Sequence, residues 1–256
     1  GERGTTFLNA ACQFPVCGPS RASLLTGLRP EATGVLDLKT RMRDVHPDIL
    51  TLPQYFKQQG YTTAAVGKIF DPRCVDGREF GDRISWTFPY NENPKPIGVT
   101  AISEGKRVTQ SIDAPDEAFV DGRIGRRGVE LLGELAAKDE PFFLAVGFKK
   151  PHLPFVAPKR FWDKYDPAEI SLEPFQTETA GNSGYGYWNS NEIRSYEGVP
   201  KEGPFDPEFQ RHLIHGYFAC TSWVDELVGR LTRELDEQGL ADTTIIVLWG
   251  DHGWHL

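Results

Sequence analysis

Three apolar, strand-like segments of this chain each end in polar residues, and helix-like segments lie between them. The strand-like segments are residues 61–66, 141–147 and 243–249, and the polar groups that follow them are Lys68, residues 149–152 and the pair Asp251 and His252. This alternation is typical of α/β proteins with a mostly parallel central sheet between helices. Because ligands of such sheets bind beyond the carboxyl ends of the strands, we expect the three polar groups to share one site.

Capping residues and apolar periodicity predict the helices. Thr51 is the expected cap of a short helix that ends before Gly60, and apolar stripes run over residues 119–138 and 206–238. The β-branched residues of the segment 243–249 predict a buried strand. Residues 158–204 lack periodicity and are rich in Pro, Gly, Asn and Ser, so we expect a long irregular excursion, either a tolerated insertion or a substrate-facing loop.

Charge and composition exclude several classes of protein. The chain has 28 Lys and Arg against 36 Asp and Glu, a net charge of -8, which argues against nucleic-acid binding by bulk electrostatics. No apolar run is long enough for a membrane span, and the sequence as given does not open like a signal peptide. The 4 cysteines are too few for a disulfide scaffold, and we predict no disulfide.

The segment 17–27 has the composition of a reactive helix N-terminus. It reads Cys-Gly-Pro-Ser-Arg-Ala-Ser-Leu-Leu-Thr-Gly, and a helix beginning near Pro19 would leave Cys17 at its positive end. An anionic nucleophile is stabilised there, and free backbone N–H groups can meet an anionic substrate. Arg21 adds a planar fork that suits sulfate or phosphate oxygens. The alternative is a buried structural cysteine beside a surface arginine.

The other polar residues at strand ends are ambiguous when each is taken alone. Lys68 by itself is most simply a solvated lysine, and His152 is equally well a turn histidine bonded to backbone. Asp251 with His252 could be a helix cap and its neighbour, but an acid and an imidazole together at a sheet edge favour metal binding or catalysis.

Two further patterns carry less weight. His212 and His215 lie three apart on the long predicted helix, but no third ligand is near in sequence, so we do not expect a metal there. The basic residues within 39–43 either form a solvated face or attract a sulfated polysaccharide to the protein.

Taken together and in order, these motifs resemble those of type I sulfatases. Cys17 to Arg21, followed by Leu-Thr-Gly at 25–27, looks like the Cys-x-Pro-Ser-Arg signature of that family. Gly-Lys at 67–68, Lys-Pro-His-Leu-Pro-Phe at 150–155 and Asp-His-Gly-Trp at 251–254 are similar to its lysine, histidine and metal motifs. The resemblance covers nearly the whole chain and is greatest to the iduronate-2-sulfatase branch.

The resemblance implies an alkaline-phosphatase/sulfatase-like α/β fold that is present here as a fragment. Residues 1–256 would be the N-terminal part of the catalytic domain, with residues 158–204 as an excursion within it. In the family, a first strand with a pair of metal-binding aspartates would lie before Gly1, and a sulfate-binding lysine would lie beyond Leu256. The remainder of the same polypeptide would then be needed to complete the site.

The resemblance also implies a nucleophile and a metal. A maturation enzyme would oxidise Cys17 to formylglycine, whose hydrate would bind the cation with one oxygen and attack sulfur with the other. One calcium ion per site would lie at Cys17, Asp251 and His252. Since imidazole suits calcium less well than carboxylate, His252 would either lie beside the ion or bind a sulfate oxygen.

The remaining roles follow from the same comparison. Arg21 would orient the formylglycine and neutralise charge, Lys68 would bind a sulfate oxygen, and His152 would protonate the leaving sugar oxygen. Family members have a histidine shortly after the glycine–lysine pair, where this chain has Ile-Phe-Asp at 69–71. Asp71 would replace that histidine as a base in sulfate release, or release would be slow.

The implied function is hydrolysis of sulfate esters of a sulfated carbohydrate, with a 2-O-sulfated uronic acid as the favoured substrate. Two alternatives stay open: a phosphate or phosphonate ester hydrolase of the same superfamily, and a catalytically idle carbohydrate-binding relative. The family further implies export to the periplasm, the extracellular space or lysosomes, whereas the expectation of no nucleic acid and no membrane span comes from charge and composition.

Overall fold

A computed structural model describes residues 4–177, 179–183 and 191–254. By their contacts these residues divide into two compact units. Unit 1 comprises the described residues within 1–94, 124–148 and 231–255, and unit 2 comprises those within 95–123 and 149–230. Each unit is described by itself.

The described residues form helices and parallel strands, so the expected α/β class is confirmed. The helices are α1 (Cys17–Thr26), α2 (Pro30–Thr33), α3 (Met42–Val45), α4 (Leu52–Gln58), α5 (Val120–Ala136), α6 (Lys159–Trp162), α7 (Asn191–Arg194) and α8 (Pro207–Glu237). The strands are β1 (Thr62–Gly67), β2 (Thr109–Ile112), β3 (Phe142–Gly147) and β4 (Phe155–Pro158), and short 3-10 turns lie at Arg83–Ser85, Asp116–Ala118 and Pro167–Glu169. Among these described helices, none combines the length and apolar content that a bilayer crossing requires.

The helices predicted from caps and periodicity are confirmed as α4, α5 and α8. The side chain of Thr51 accepts a hydrogen bond from the backbone N–H of Gln54 at 3.2 Å, and Gln54 completes a capping box with it. These helices were predictable because each is encoded by neighbours along the chain.

In unit 1, β1 and β3 pair in parallel, with Thr62 opposite Phe142 and Gly67 opposite Gly147. At the end of β1, Gly67 has a φ of 80°, and a Cβ there would lie 2.2 Å from the carbonyl oxygen of Gly147. Only glycine fits this close approach. The next residue, Lys68, donates its backbone N–H to the same oxygen at 2.7 Å, so the strand exit that carries Lys68 is fixed by two glycines.

The core of unit 1 holds α1 in place. Ala22 and Leu25 of α1 are buried in a cluster that includes Val35, Met42 and Phe70. Burial of a leucine side chain of this kind stabilises the fold by roughly 2 to 3 kcal/mol. The apolar side of α1 therefore packs in the core of unit 1, and polar residues on its other side can form a functional site.

In unit 2, β2 and β4 pair in parallel from Thr109 opposite Phe155 to Ile112 opposite Pro158. Aromatic rings of α8 pack against this unit: Tyr217 meets Phe155 edge-on at 5.7 Å between centroids, and Trp223 is fully buried. This part of α8 thus buries one face in unit 2 and exposes the other, as its apolar stripe predicted.

The buried strand predicted for residues 243–249 is wrong. The segment is not a strand, and Ile245 and Leu248 have exposed fractions of 91% and 74%. Its β-branched side chains suit a strand, but within the described residues no neighbouring strand pairs with it, and propensity alone does not form a ladder. In the predicted excursion 158–204, the described residues form α6, α7 and one 3-10 turn, and residues 178 and 184–190 lie outside the description.

Candidate active site

Cys17 is the first residue of α1, two residues before the predicted start at Pro19. Val16 precedes it in extended backbone, with φ -144° and ψ 140°. The Cys17 side chain is buried, with an exposed fraction of 6%, and its Sγ lies 3.2 Å from Nε2 of His252. A potential nucleophile at a helix N-terminus is thus in contact with an imidazole, although 235 residues separate the two along the chain.

Arg21 lies one turn further along α1 and joins two parts of the site. Its Nε donates to Oδ2 of Asp251 at 2.9 Å, and its Nη1 donates to the carbonyl oxygens of Lys68 and, at 3.1 Å, Ile69. The side chains of Arg21 and Asp251 have exposed fractions of 15% and 18%. A guanidinium can make this set of bonds because its donors point in fixed, divergent directions.

Asp251 and His252 are held against α1 by backbone and side-chain bonds. The hydroxyl of Ser20 donates to the carbonyl oxygen of Asp251 at 2.5 Å, and the backbone N–H of His252 donates to Oδ1 of Asp251 at 3.0 Å. Burial acts to raise the pKa of the Asp251 carboxyl, but the charge of Arg21 and further contacts with His252 lower it overall. The hydrogen bond with Cys17 raises the pKa of His252 to about 9 against the effect of burial, and the charge of Asp251 adds to this rise.

The ammonium group of Lys68 is paired with Asp71, whose Oδ2 lies 3.2 Å from Nζ. Asp71 is buried and also accepts two hydrogen bonds from the Arg73 guanidinium, at 2.8 and 2.9 Å. Burial acts to raise the pKa of Asp71, but the Arg73 hydrogen bonds and the charge of Lys68 outweigh it, so this pKa lies below its usual range. Asp71 is therefore a fixed anion that orients Lys68.

His152 lies in unit 2, with its own set of contacts. Its Nδ1 bonds to the carbonyl oxygen of Leu153 at 2.8 Å, and its Nε2 lies 3.6 Å from Oε1 of Glu192. The buried carboxylate of Asp121 accepts the backbone N–H groups of Lys149 at 2.7 Å and Lys150 at 3.1 Å, just before His152. The structure brings Cys17 and the other predicted residues together within unit 1, and a role of His152 in the same site stays a prediction.

The site of unit 1 offers three different ligand atoms for a metal. Sγ of Cys17, a carboxylate oxygen of Asp251 and a ring nitrogen of His252 all lie within 4.8 Å of one another. Sulfur, oxygen and nitrogen together resemble the donor sets of zinc more than those of calcium. Replacement of the Cys17 sulfur by oxygen, as in formylglycine, would give two oxygen ligands, which suit a hard cation, beside the His252 nitrogen.

Two roles in the site were missed from the sequence: Ser20 was not singled out, and Asp71 was expected only as a base. Ser20 contacts the Asp251 backbone, and Asp71 orients Lys68. Ser20 lies inside the quoted motif, and Asp71 lies three residues after Lys68, a spacing that favours an ion pair. Neither signal says which partner the side chain takes, because Asp251 lies 231 residues from Ser20.

The weaker sequence patterns do not form metal sites among the described residues. Nε2 of His212 bonds to the Thr109 hydroxyl at 2.7 Å and Nε2 of His215 bonds to the Trp162 carbonyl oxygen at 2.8 Å. In the segment 39–43, the Arg43 guanidinium makes a bidentate ion pair with Asp82: Nε donates to Oδ1 at 2.5 Å and Nη2 donates to Oδ2 at 2.8 Å. All four cysteines are free thiols.

The sequence of this chain is similar to that of a known sulfatase. The chain is 36% identical over 266 residues to iduronate 2-sulfatase of Homo sapiens, across 98% of this chain and 48% of that protein. It spans about half the length of the curated relatives it matches.

Two solved structures of lower identity show the same fold. The phosphonate monoester hydrolase of Agrobacterium radiobacter matches with a TM-score of 0.61 and 16% identity, over 90% of this chain and 52% of that one. A protein solved in complex with its substrate D-glucosamine-2-N,6-O-disulfate matches with a TM-score of 0.60 and 18% identity, over 92% of this chain and 56% of that one. The description "Sulfatase" is that of the family model matched by residues 2–256. Since this match covers nearly every residue, including those of the unit 1 site, the chain belongs to the sulfatase family.

Proposed function

We propose that this protein hydrolyses sulfate esters of a sulfated carbohydrate, with a 2-O-sulfated uronic acid as its substrate. The contact of Cys17 with His252, beside that of Arg21 with Asp251, carries the proposal. These contacts join the first and last motifs of the sequence in one site. Membership of the sulfatase family supports the ester, and the 36% identity to human iduronate 2-sulfatase supports the sugar.

The nucleophile is residue 17 after its oxidation to formylglycine by a maturation enzyme. When hydrated, formylglycine at residue 17 would supply a hydroxyl oxygen as the nucleophile toward sulfur, with the sugar oxygen as the leaving group. The site supports this chemistry because residue 17 is buried at a helix N-terminus next to His252. A hydroxyl held there meets the partial positive charge of the helix end, which favours developing negative charge.

Arg21 and Lys68 stabilise the transferring sulfuryl group. Nε and Nη1 of Arg21 donate hydrogen bonds to other residues. Among the described residues Nη2 remains available to donate to residue 17 or to a sulfate oxygen. Asp71 holds one side of the Lys68 ammonium, and the other hydrogens of that group can donate to a second oxygen. Donors fixed before the substrate binds stabilise the charge of a transition state without a cost of reorganisation.

A calcium ion would be held by the oxygen of oxidised residue 17 and by Asp251, with His252 as a third member of the group. The ion supplies charge that polarises the sulfate and the hydrate. Both carboxylate oxygens of Asp251 accept one hydrogen bond each, from Arg21 and from the His252 backbone. Each oxygen keeps a lone pair for the ion, and these bonds fix the direction in which it points.

His152 protonates the leaving sugar oxygen in this proposal. Its Nδ1 faces the carbonyl oxygen of Leu153, so Nδ1 holds a hydrogen and Nε2 is the atom that exchanges a proton with the substrate. Asp71 does not act as the base of sulfate release, because its pKa is lowered and both its oxygens are bound. Release then depends on another group or on water.

The proposal extends to the whole protein. Both units belong to one catalytic domain, with residues 158–204 as an excursion in it, and the remainder of the polypeptide completes the site. Export to the periplasm, the extracellular space or lysosomes is proposed from the family alone.

Paired substrates test the reaction. The complete protein, made with the maturation enzyme, is assayed on 4-nitrophenyl sulfate and 4-nitrophenyl phosphate. It is also assayed on disaccharides sulfated either at O2 of a uronic acid or at O6 of a hexose. We expect kcat/KM for the sulfate to exceed that for the phosphate by about a hundredfold or more. A preference for the phosphate would replace the sulfatase with a phosphate or phosphonate ester hydrolase, and equal rates on the two disaccharides would reject the uronic acid.

Intact mass separates a working enzyme from an idle binding protein. Oxidation of Cys17 removes sulfur and two hydrogens and adds oxygen, which lowers the mass by about 18 Da. An unmodified thiol after expression with the maturation enzyme would mean that the chain is a binding protein.

A further inference from the structure

Unit 2 contains a cavity that the proposed mechanism does not use. It has a volume of about 600 Å³, within the range of roughly 300 to 1,000 Å³ that is usual for small-molecule sites. Its walls come from three places: β2 and the residue Arg107 before it, α6 with the following turn, and α8. The lining includes Thr109, Gln110, Ser111, Trp162, Tyr165 and His212.

A buried donor in this lining has no acceptor. The exposed fraction of Trp162 is 5%, and its indole Nε1 makes no hydrogen bond within the part of the chain that the structure describes. A buried N–H group without a partner costs about 1 to 3 kcal/mol. A ligand oxygen in the cavity would remove that cost.

The cavity has one uncompensated charge. Asp163 is paired with Lys159, at 2.5 and 2.7 Å, whereas the exposed guanidinium of Arg107 forms no ion pair with a described residue. Burial, with a smaller effect of His215, lowers the pKa of His212, so the charged form of that ring is disfavoured. In the described lining, Arg107 is therefore a cation without an ion-pair partner, close to the hydroxyl groups of Thr109 and Ser111.

We propose that this cavity binds an acidic sugar residue, with its carboxylate or sulfate group on Arg107 and an oxygen on the Trp162 indole N–H. The hydroxyls of Thr109 and Ser111, which lie two residues apart on β2 and so on one face of the strand, match the hydroxyl groups of a sugar. The choice of a sugar, rather than another organic anion, rests on the proposed function. The anion site itself rests only on Arg107, Trp162 and the volume of the cavity.

The indole signal of Trp162 tests this binding independently of turnover. The protein carrying Cys17→Ala is labelled with ¹⁵N, and the Trp162 N–H resonance is assigned by its absence in Trp162→Phe. The ligands are glucuronate, glucose 6-sulfate, neutral glucose and inorganic sulfate. We expect a saturable shift with both acidic sugars, which distinguishes carboxylate from sulfate by their relative Kd values, and a much weaker response to glucose and to sulfate alone.

A pair of neighbouring substitutions supplies the control. Arg107→Gln should raise Kd for the acidic sugars about tenfold, the usual effect of losing one charge-assisted bond. Lys106→Gln removes the adjacent charge, which faces Glu197 at 3.9 Å and does not line the cavity, so it should leave Kd within about twofold. If Trp162→Phe does not fold, the His212 ring resonances, assigned with His212→Gln, report the same titration.

Three results would each overturn the proposal: no shift with either acidic sugar, an equal response to glucose or to sulfate alone, or an unchanged Kd in Arg107→Gln. Because none of these readouts requires hydrolysis, the cavity can fail while the sulfatase activity stands. Conversely, an inactive protein can still show the titration.

Discussion

Replacement of Arg21 by lysine should damage the site without removing its charge. Arg21 donates from Nε to Asp251 and from Nη1 to the carbonyl oxygens of Lys68 and Ile69. A lysine ammonium is a single point, so it can keep at most part of this set. The loss of two bonds from a charged donor is worth about 1.5 to 3 kcal/mol each at a buried site. Since these side chains keep some solvent exposure, we take about 3 kcal/mol for the pair.

That free energy divides between folding and catalysis. We expect Arg21→Lys to lower the free energy of unfolding by about 1 to 2 kcal/mol. We expect kcat/KM for a sulfate ester to fall about tenfold, which corresponds to the remaining ~1.4 kcal/mol, because Arg21 no longer holds Asp251 and the Lys68 backbone together. The assays are urea denaturation and steady-state kinetics on the same preparations. Arg29→Lys, at an exposed position just after α1, is the matched control. A rate within about threefold of wild type would refute the anchoring role of Arg21.

Three other substitutions test separate parts of the reasoning. Cys17→Ala should abolish turnover with little change in the denaturation midpoint, and turnover that survives would end the covalent mechanism. Asp71→Asn should lower the free energy of unfolding by about 2 kcal/mol at pH 7, a value discounted because Arg73 is half exposed. The pKa of Asp71 is lowered on folding, so its contribution to the free energy of unfolding is complete above about pH 4 and is lost as the pH falls further. The free energies of unfolding of the wild type and Asp71→Asn should therefore converge in acid. A constant difference between them down to pH 2 would contradict this. The carboxylate of Asp121 accepts two backbone N–H groups, and an asparagine there has only one oxygen to accept them. For Asp121→Asn, kcat/KM should therefore fall about tenfold while the circular dichroism spectrum stays native. Unchanged kinetics would show that this carboxylate does not position His152.

Much of the fold could be predicted because its signals are local. The cap at Thr51, the stripe of α8 and the helix start near Cys17 each depend on residues a few positions apart. The parallel pairing of β1 with β3 followed from their alternation with helices and from the general rule for such sheets. The same rule placed Lys68 and Asp251 at one site before any contact was known.

The segment 243–249 shows where such reasoning stops. Its Ile, Val and Leu side chains are those of an internal strand, yet Ile245 and Leu248 are exposed. Strand propensity measures how well a side chain fits a pleated, half-buried surface, so it has no effect where no neighbouring strand provides that surface. The residue pattern of one segment does not show whether a neighbouring strand is present to pair with it.

The pairing of Lys68 with Asp71 shows a second limit, and under the proposed function it accounts for the binding of an anionic ester by an acidic protein. The sequence offered a lysine at a strand end, and the resemblance suggested that Asp71 was a base. In the structure Arg21 is paired with Asp251, and Lys68 is paired with Asp71, which also accepts hydrogen bonds from Arg73. Such pairs cancel most of the long-range field, so binding depends on directed donors at short range rather than on net charge. The anions also keep the donors in place before the substrate arrives, which is the condition under which fixed dipoles and charges stabilise a transition state more than a ground state.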